Sequence, residues 1–167
     1  MLYILLTILL VVIDQVVKFL VRTNIPLGEH LPFIPHILDL TYVQNTGAAF
    51  SILAEHTWIL TLLSLIIVIV MVVALWKKVL VHPFGVIPSV MVIAGGIGNL
   101  IDRIAFGYVT DMFYTLFMNF AVFNVADICI TVGGVLLVLY VLVLYDKLEK
   151  KEEPKDAHGT DLPADHQ

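Results

Sequence analysis

The chain has 167 residues, of which 60% are hydrophobic and only 14% are charged. A water-soluble domain of this size runs near about 45–50% apolar and about 25% charged, so the excess needs a second solvent, and a lipid bilayer supplies one. The net charge of −5 says little about partners, because much of the acid lies in the C-terminal tail. No basic patch with interleaved aromatics is present, which excludes nucleic acid as a partner. The single cysteine, Cys129, rules out an internal disulfide and a thiolate metal cluster, and its apolar surroundings read as a buried, inert thiol.

Four stretches pass the length test for a membrane-spanning helix, at about 2–21, 58–76, 84–106 and 125–145. The first begins without a basic n-region or a small-residue cleavage site and outruns a signal-peptide core, so it is expected to stay as an anchor. It carries Asp14 and Lys18, which are four apart, share a face and can pair. The pair reads equally well as a structural lock and as a substrate contact. Residues 22–57 are punctuated by Pro26, Gly28, Pro32 and Pro35, and the alternation from Leu38 to Val43 predicts short strands. A short helix is expected from Ala48 to Glu55. The segment as a whole predicts a small β-rich extracytoplasmic platform. Within it, QNTGAAF at 44–50 sets Asn45 beside Gly47, where the backbone can approach a partner closely. Asn45 would there hold substrate backbone or stabilise a turn.

The second span is free of charge and is bracketed by Trp58 and Trp76, as interfacial anchors would be. The third contains Pro88, tolerable in a membrane helix, and Gly95, Gly96 and Gly98, which permit close helix contact. It ends in GNLIDR, residues 98–103, with Asn99 and Arg103 on one face and Asp102 turned toward another neighbour. Asp111 follows in YVTD, expected at the top of this helix or just outside it. The next stretch, MFYTLFMNFAVF at 112–123, would cross a site mouth as an apolar lid. The fourth span opens with NVAD, in which Asn124 suits an N-cap and Asp127 is the third residue after it. Taken alone, Asp127 is a helix-start carboxylate. Beyond Asp146 the chain turns polar, so residues 1–146 form the predicted membrane domain and 147–167 a disordered cytoplasmic tail.

Lys77 and Lys78 follow the second span and four lysines follow the fourth, whereas the other side offers Arg22. The positive-inside rule then places both termini in the cytoplasm and the 22–57 and 107–124 connections outside. The third span runs outward and the fourth returns, so Asp111 and Asp127 arrive at one level. Two carboxylates meeting at low dielectric share a proton, which is what an aspartic peptidase needs. Other chemistries fare poorly. His30, His36 and His56 lie outside the helices with no serine in a nucleophile motif, and neither a zinc motif nor a phosphate loop is present. The main alternative is a small membrane transporter or proton-relay protein, which should place polar groups at the midplane of several helices. A noncatalytic assembly subunit would not need paired carboxylates.

Together these residues resemble one family, the bacterial lipoprotein signal peptidases, or signal peptidase II. Four blocks carry the likeness: DQVVK with Asp14 and Lys18, QNTGAAF, GNLIDR with the following VTD, and FNVADICITVG at 123–133. They stand in family order with family-like spacing, over about residues 1 to 146. The resemblance implies an intramembrane aspartic endopeptidase of the bacterial cell membrane, without metal or cofactor. It would remove the signal peptide of a diacylglyceryl prolipoprotein, cutting before the lipidated cysteine, and would be a target of globomycin. Asp111 and Asp127 would be the catalytic dyad. Asn45, Gly47, Asn99, Arg103 and Asn124 would line the site or bind substrate, with Asp14, Lys18 and Asp102 in support. The 112–123 stretch is a little shorter than the family's, which bears on gating and inhibitor affinity rather than on the chemistry.

Overall fold

The computed structural model describes residues 1–47 and 57–148. The helix expected over Ala48–Glu55 and the tail beyond Leu148 lie outside the described residues. Among the described residues, four helices are long and apolar enough to cross a membrane: α1 (Leu2–Asn24), α2 (Thr57–Trp76), α3 (Pro83–Phe106) and α4, which begins at Val125. α4 (Val125–Leu139) continues through a π-helical turn, Tyr140–Leu144, into the short α5 (Tyr145–Leu148). α1 outruns its apolar stretch by three residues because its polar end bonds back onto the helix. Thr23 Oγ1 donates to Phe19 O at 2.9 Å and Asn24 Nδ2 to Leu20 O at 2.8 Å.

The polarity of the bundle is inverted relative to a soluble protein. α1, α2 and α4 turn leucine, isoleucine and valine outward, while Asp14, Lys18, Ser89, Asn99 and Asp102 are buried. Lipid makes the first arrangement cheap, and mutual pairing makes the second tolerable. α3 is the central element. About 72% of its most apolar window is buried, against 11–17% for the other three helices. Gly98 lets α1 approach it, because a Cβ there would stand 2.5 Å from Asp14 Oδ2.

At one end the bundle carries a three-stranded antiparallel sheet, β1 (His30–Ile34), β2 (Leu38–Asn45) and β3 (Val109–Thr115), ordered β1-β2-β3. Val21 and Ile25 pack against Tyr42 and Met112, fixing the sheet to the end of α1. Of the two positions expected for Asp111, the structure shows the one just outside the third helix, and it is a strand, β3. The switch is local. α3 closes on Gly107 at φ 79, a left-handed conformation that glycine adopts without strain, and the chain enters β3 two residues later. The expected lid is correspondingly shorter. Residues 112–115 belong to the strand, and the chain after it folds back so that Phe113 N donates to Phe123 O at 2.8 Å.

Candidate active site

The polar residues of the first and third helices form a buried ionic group under the sheet. Lys18 Nζ lies 3.0 Å from Asp14 Oδ2 and 3.4 Å from Asp102 Oδ2. Asp14 Oδ1 also accepts from the backbone N of Ala126 at 2.9 Å, which ties α1 to the first turn of α4. A lysine ammonium has three protons and no acceptor. One goes to Asn99 Oδ1 at 2.9 Å. That contact settles the amide orientation of Asn99, leaving its NH2 to face the other way.

Asn99 Nδ2 donates to Asp127 Oδ1 at 2.8 Å. Asp127 Oδ2 accepts from Asn124 N at 3.1 Å while Asn124 Oδ1 accepts from Asp127 N at 2.9 Å, a reciprocal capping box. Asn124 Nδ2 donates to Asp111 Oδ1 at 2.6 Å, and Asn45 Nδ2 donates to Asp111 Oδ2 at 2.8 Å. Asn45 Oδ1 in turn accepts from Gly47 N at 2.9 Å. The two carboxylates are thus held by asparagine amides from β2, α3 and the N-cap of α4. Asp127 therefore is the helix-start carboxylate of α4, capping with one oxygen while the other accepts from Asn99.

Asp111 and Asp127 face a common cavity of about 380 Å³. Asn45, Gly47, Asn99 and Arg103 line its polar side, and Phe120 to Phe123 and Thr131 belong to the remainder. Arg103 lies within electrostatic reach of both aspartates, and its buried Nε has no hydrogen-bond partner among the described residues. Asp111 is 1% exposed. Burial, with the Asp127 charge adding to it, pushes the Asp111 carboxyl up to about 7, against the opposing amide bonds of Asn45 and Asn124.

Of the residues singled out in the sequence, Asn45, Gly47, Asn99, Arg103, Asp111 and Asp127 meet at this cavity. Asn124 stands behind the two aspartates. Asp14, Lys18 and Asp102 lie in the ionic group beyond Asn99. Asp102 does face a different neighbour from Asn99: its Oδ2 accepts from Thr110 N at 2.8 Å. Three participants escaped the sequence reading. Gln15 Nε2 donates to Asp14 Oδ2 and Gly98 O, each at 3.1 Å, and Arg22 Nη1 donates to Thr110 Oγ1 at 2.9 Å. Helical spacing could have found Arg22, four residues after Lys18. Thr110 carried no signal before β3 was known. A polar path crossing several helices, as a transporter would need, has no counterpart in α2, whose buried residues are Leu60 and Val68.

The sequence profile of signal peptidase (SPase) II matches residues 6–143. The chain belongs to the signal peptidase II family. It is 44% identical over 138 residues to the lipoprotein signal peptidase of Streptococcus pyogenes serotype M2, covering 83% of this chain and 91% of that protein. Identity to the lipoprotein signal peptidase of Streptococcus agalactiae serotype Ia is 43% over 133 residues, covering 80% and 86%. A bacterial membrane enzyme structure determined by the in meso method at 2.3 Å resolution superposes with a TM-score of 0.79 at 32% identity, over 91% of this chain and 93% of that one. A second such structure, at 1.9 Å, gives 0.77 at 32% identity, over 84% and 92%. Membership of the signal peptidase II family makes this chain a membrane protease, and the cavity between the sheet and α3 and α4 is its candidate active site.

Proposed function

We propose that the chain removes the signal peptide of diacylglyceryl prolipoproteins by an aspartic mechanism, with Asp111 and Asp127 as the dyad. The observation that carries this reading is the shared cavity, into which two carboxylates project on separate asparagine supports. Asp111, raised to about 7, holds the shared proton. Its proton polarises the scissile carbonyl, while ionised Asp127 takes a proton from the attacking water. The tetrahedral intermediate collapses as Asp127 returns that proton to the leaving amine nitrogen. Asn45, Gly47 and Arg103 bind the substrate backbone, the buried Arg103 Nε supplying a donor that waits for an acceptor. The apolar lip from Phe120 to Phe123 meets the lipid-modified residue and globomycin-type inhibitors.

Lysine placement supports a multi-pass protein of the bacterial cell membrane with both termini in the cytoplasm and the sheet outside. The substrate then reaches the cavity laterally from membrane lipid. Neither the mechanism nor the residues assigned to it require a metal. The test is cleavage of a diacylglyceryl prolipoprotein by purified protein. Asp111→Asn and Asp127→Asn should each lose more than about a thousandfold in kcat while remaining folded and membrane-inserted. Near-normal processing by either variant removes that residue from the dyad, and reversible inhibition by chelators refutes the metal-free reaction.

A further inference from the structure

Thr110, the residue before Asp111, is fully buried and is held twice. Its backbone N donates to Asp102 Oδ2 at 2.8 Å, and its Oγ1 accepts from Arg22 Nη1 at 2.9 Å. Arg22 also stands 3.5 Å from Asp102 Oδ1, and its guanidinium lies 4.6 Å over the ring of Phe106, which packs it at the end of α3. Asp102 is already paired with Lys18 at 3.4 Å, so neutralising that carboxylate does not by itself require Arg22. What Arg22 adds is the bond to Thr110.

The position of that bond matters. Successive residues of a strand face opposite sides, so a grip on Thr110 sets the height and rotation of Asp111, which points the other way into the cavity. The β2–β3 ladder is regular from Val109 to Asp111, which pair with Asn45 to Val43, and shifts only beyond Asp111, where Leu40 pairs with Phe113. Asp111 is thus the last residue of the regularly paired stretch, and the grip on Thr110 from α1 and α3 anchors that stretch just before the register shifts.

We propose that Arg22 and Thr110, with Asp102, form a clamp that positions Asp111 for catalysis, an inference that rests on Asp111 belonging to the dyad. They are positioning residues, since none of them lines the cavity. The clamp joins the outer end of the first membrane helix to the strand of the catalytic aspartate, and it acts on turnover rather than on substrate capture.

The experiment is steady-state cleavage of a diacylglyceryl prolipopeptide by the full chain in detergent, with thermal unfolding measured on the same samples. Thr110→Val keeps the strand backbone and its bond to Asp102 but removes the acceptor of Arg22. It should lower kcat about threefold to tenfold with KM within about twofold, the mark of a misplaced catalytic group. Thr110→Ser restores the oxygen and should recover most of the rate. Arg22→Ala should lower kcat about tenfold, and the double variant Arg22→Ala/Thr110→Val should be no worse than Arg22→Ala alone, because the two share one contact. Unchanged kcat in Thr110→Val overturns the clamp, as do equal losses in the serine and valine variants or fully additive losses in the double variant. Should Arg22→Ala fail to fold, the serine–valine comparison still decides. Asp111→Asn runs alongside: its retained activity would sink the dyad, whereas an inactive Asp111→Asn beside a fully active Thr110→Val sinks the clamp alone.

Discussion

Replacing Asn45 by alanine should move the pH profile of the reaction in a direction that the site geometry dictates. Asp111 stands at about 7 because burial and the Asp127 charge outweigh two amide donors, Asn45 Nδ2 at 2.8 Å and Asn124 Nδ2 at 2.6 Å. Each donor favours the ionised carboxylate, so removing one makes the proton bind more tightly. A hydrogen bond to a charged group contributes about 1.5–3 kcal/mol, and water entering the space left by Asn45 restores part of it. A net loss of about 1.4 kcal/mol corresponds to about one pH unit. With Asp111 as the proton-carrying member, kcat/KM falls as pH rises through about 7 in the parent. In Asn45→Ala that alkaline limb should move up by about one unit, whatever happens to the maximal rate. The assay is cleavage of a diacylglyceryl prolipopeptide from pH 5 to 9 at subsaturating substrate. An alkaline limb that stays in place or moves toward acid would refute both the role of Asn45 and the assignment of the proton to Asp111.

Three further outcomes follow from the same contacts. A carboxyl raised from 3.8 to about 7 by folding favours the fold most below pH 3.8 and progressively less as pH rises through about 7. Asp111→Asn should therefore melt several degrees higher than the parent at pH 8, on the order of a few kcal/mol, with the difference closing toward pH 4; equal melting temperatures at pH 8 would contradict it. Lys18→Met leaves Asp14 and Asp102 buried without their shared cation, and thermal unfolding in detergent should show a loss of about 3–5 kcal/mol. Gly98→Ala sets a methyl 2.5 Å from Asp14 Oδ2, whereas a Cβ at Gly134 meets nothing within 4 Å. The first should cost about 1–3 kcal/mol and the second close to none, so matching melting curves for the two variants would count against the tight α1–α3 contact.

Composition alone was enough to identify a membrane protein, because an apolar excess of this size has no favourable arrangement in water. The spans follow from length and hydropathy, and their observed ends differ by a few residues. Those differences arise where polar side chains, such as Thr23 and Asn24, bond back to the helix and extend it. Helical spacing also exposed the Asp14–Lys18 pair, the split between Asn99 with Arg103 and Asp102, and the capping box at Asn124. All of these are local, set by 3.6 residues per turn and by the free N–H groups at a helix start. Tertiary structure alone decided the rest. β3 is a short strand whose partner, β2, lies more than sixty residues earlier in the chain, and no local pattern around Asp111 announced it. The grip of Arg22 on Thr110 spans 88 positions. The meeting of Asp111 with Asp127 likewise depends on Gly107 ending α3 and on the asparagines of three elements converging. A sequence shows which side chains are too polar for lipid; which of them face one another is settled by packing.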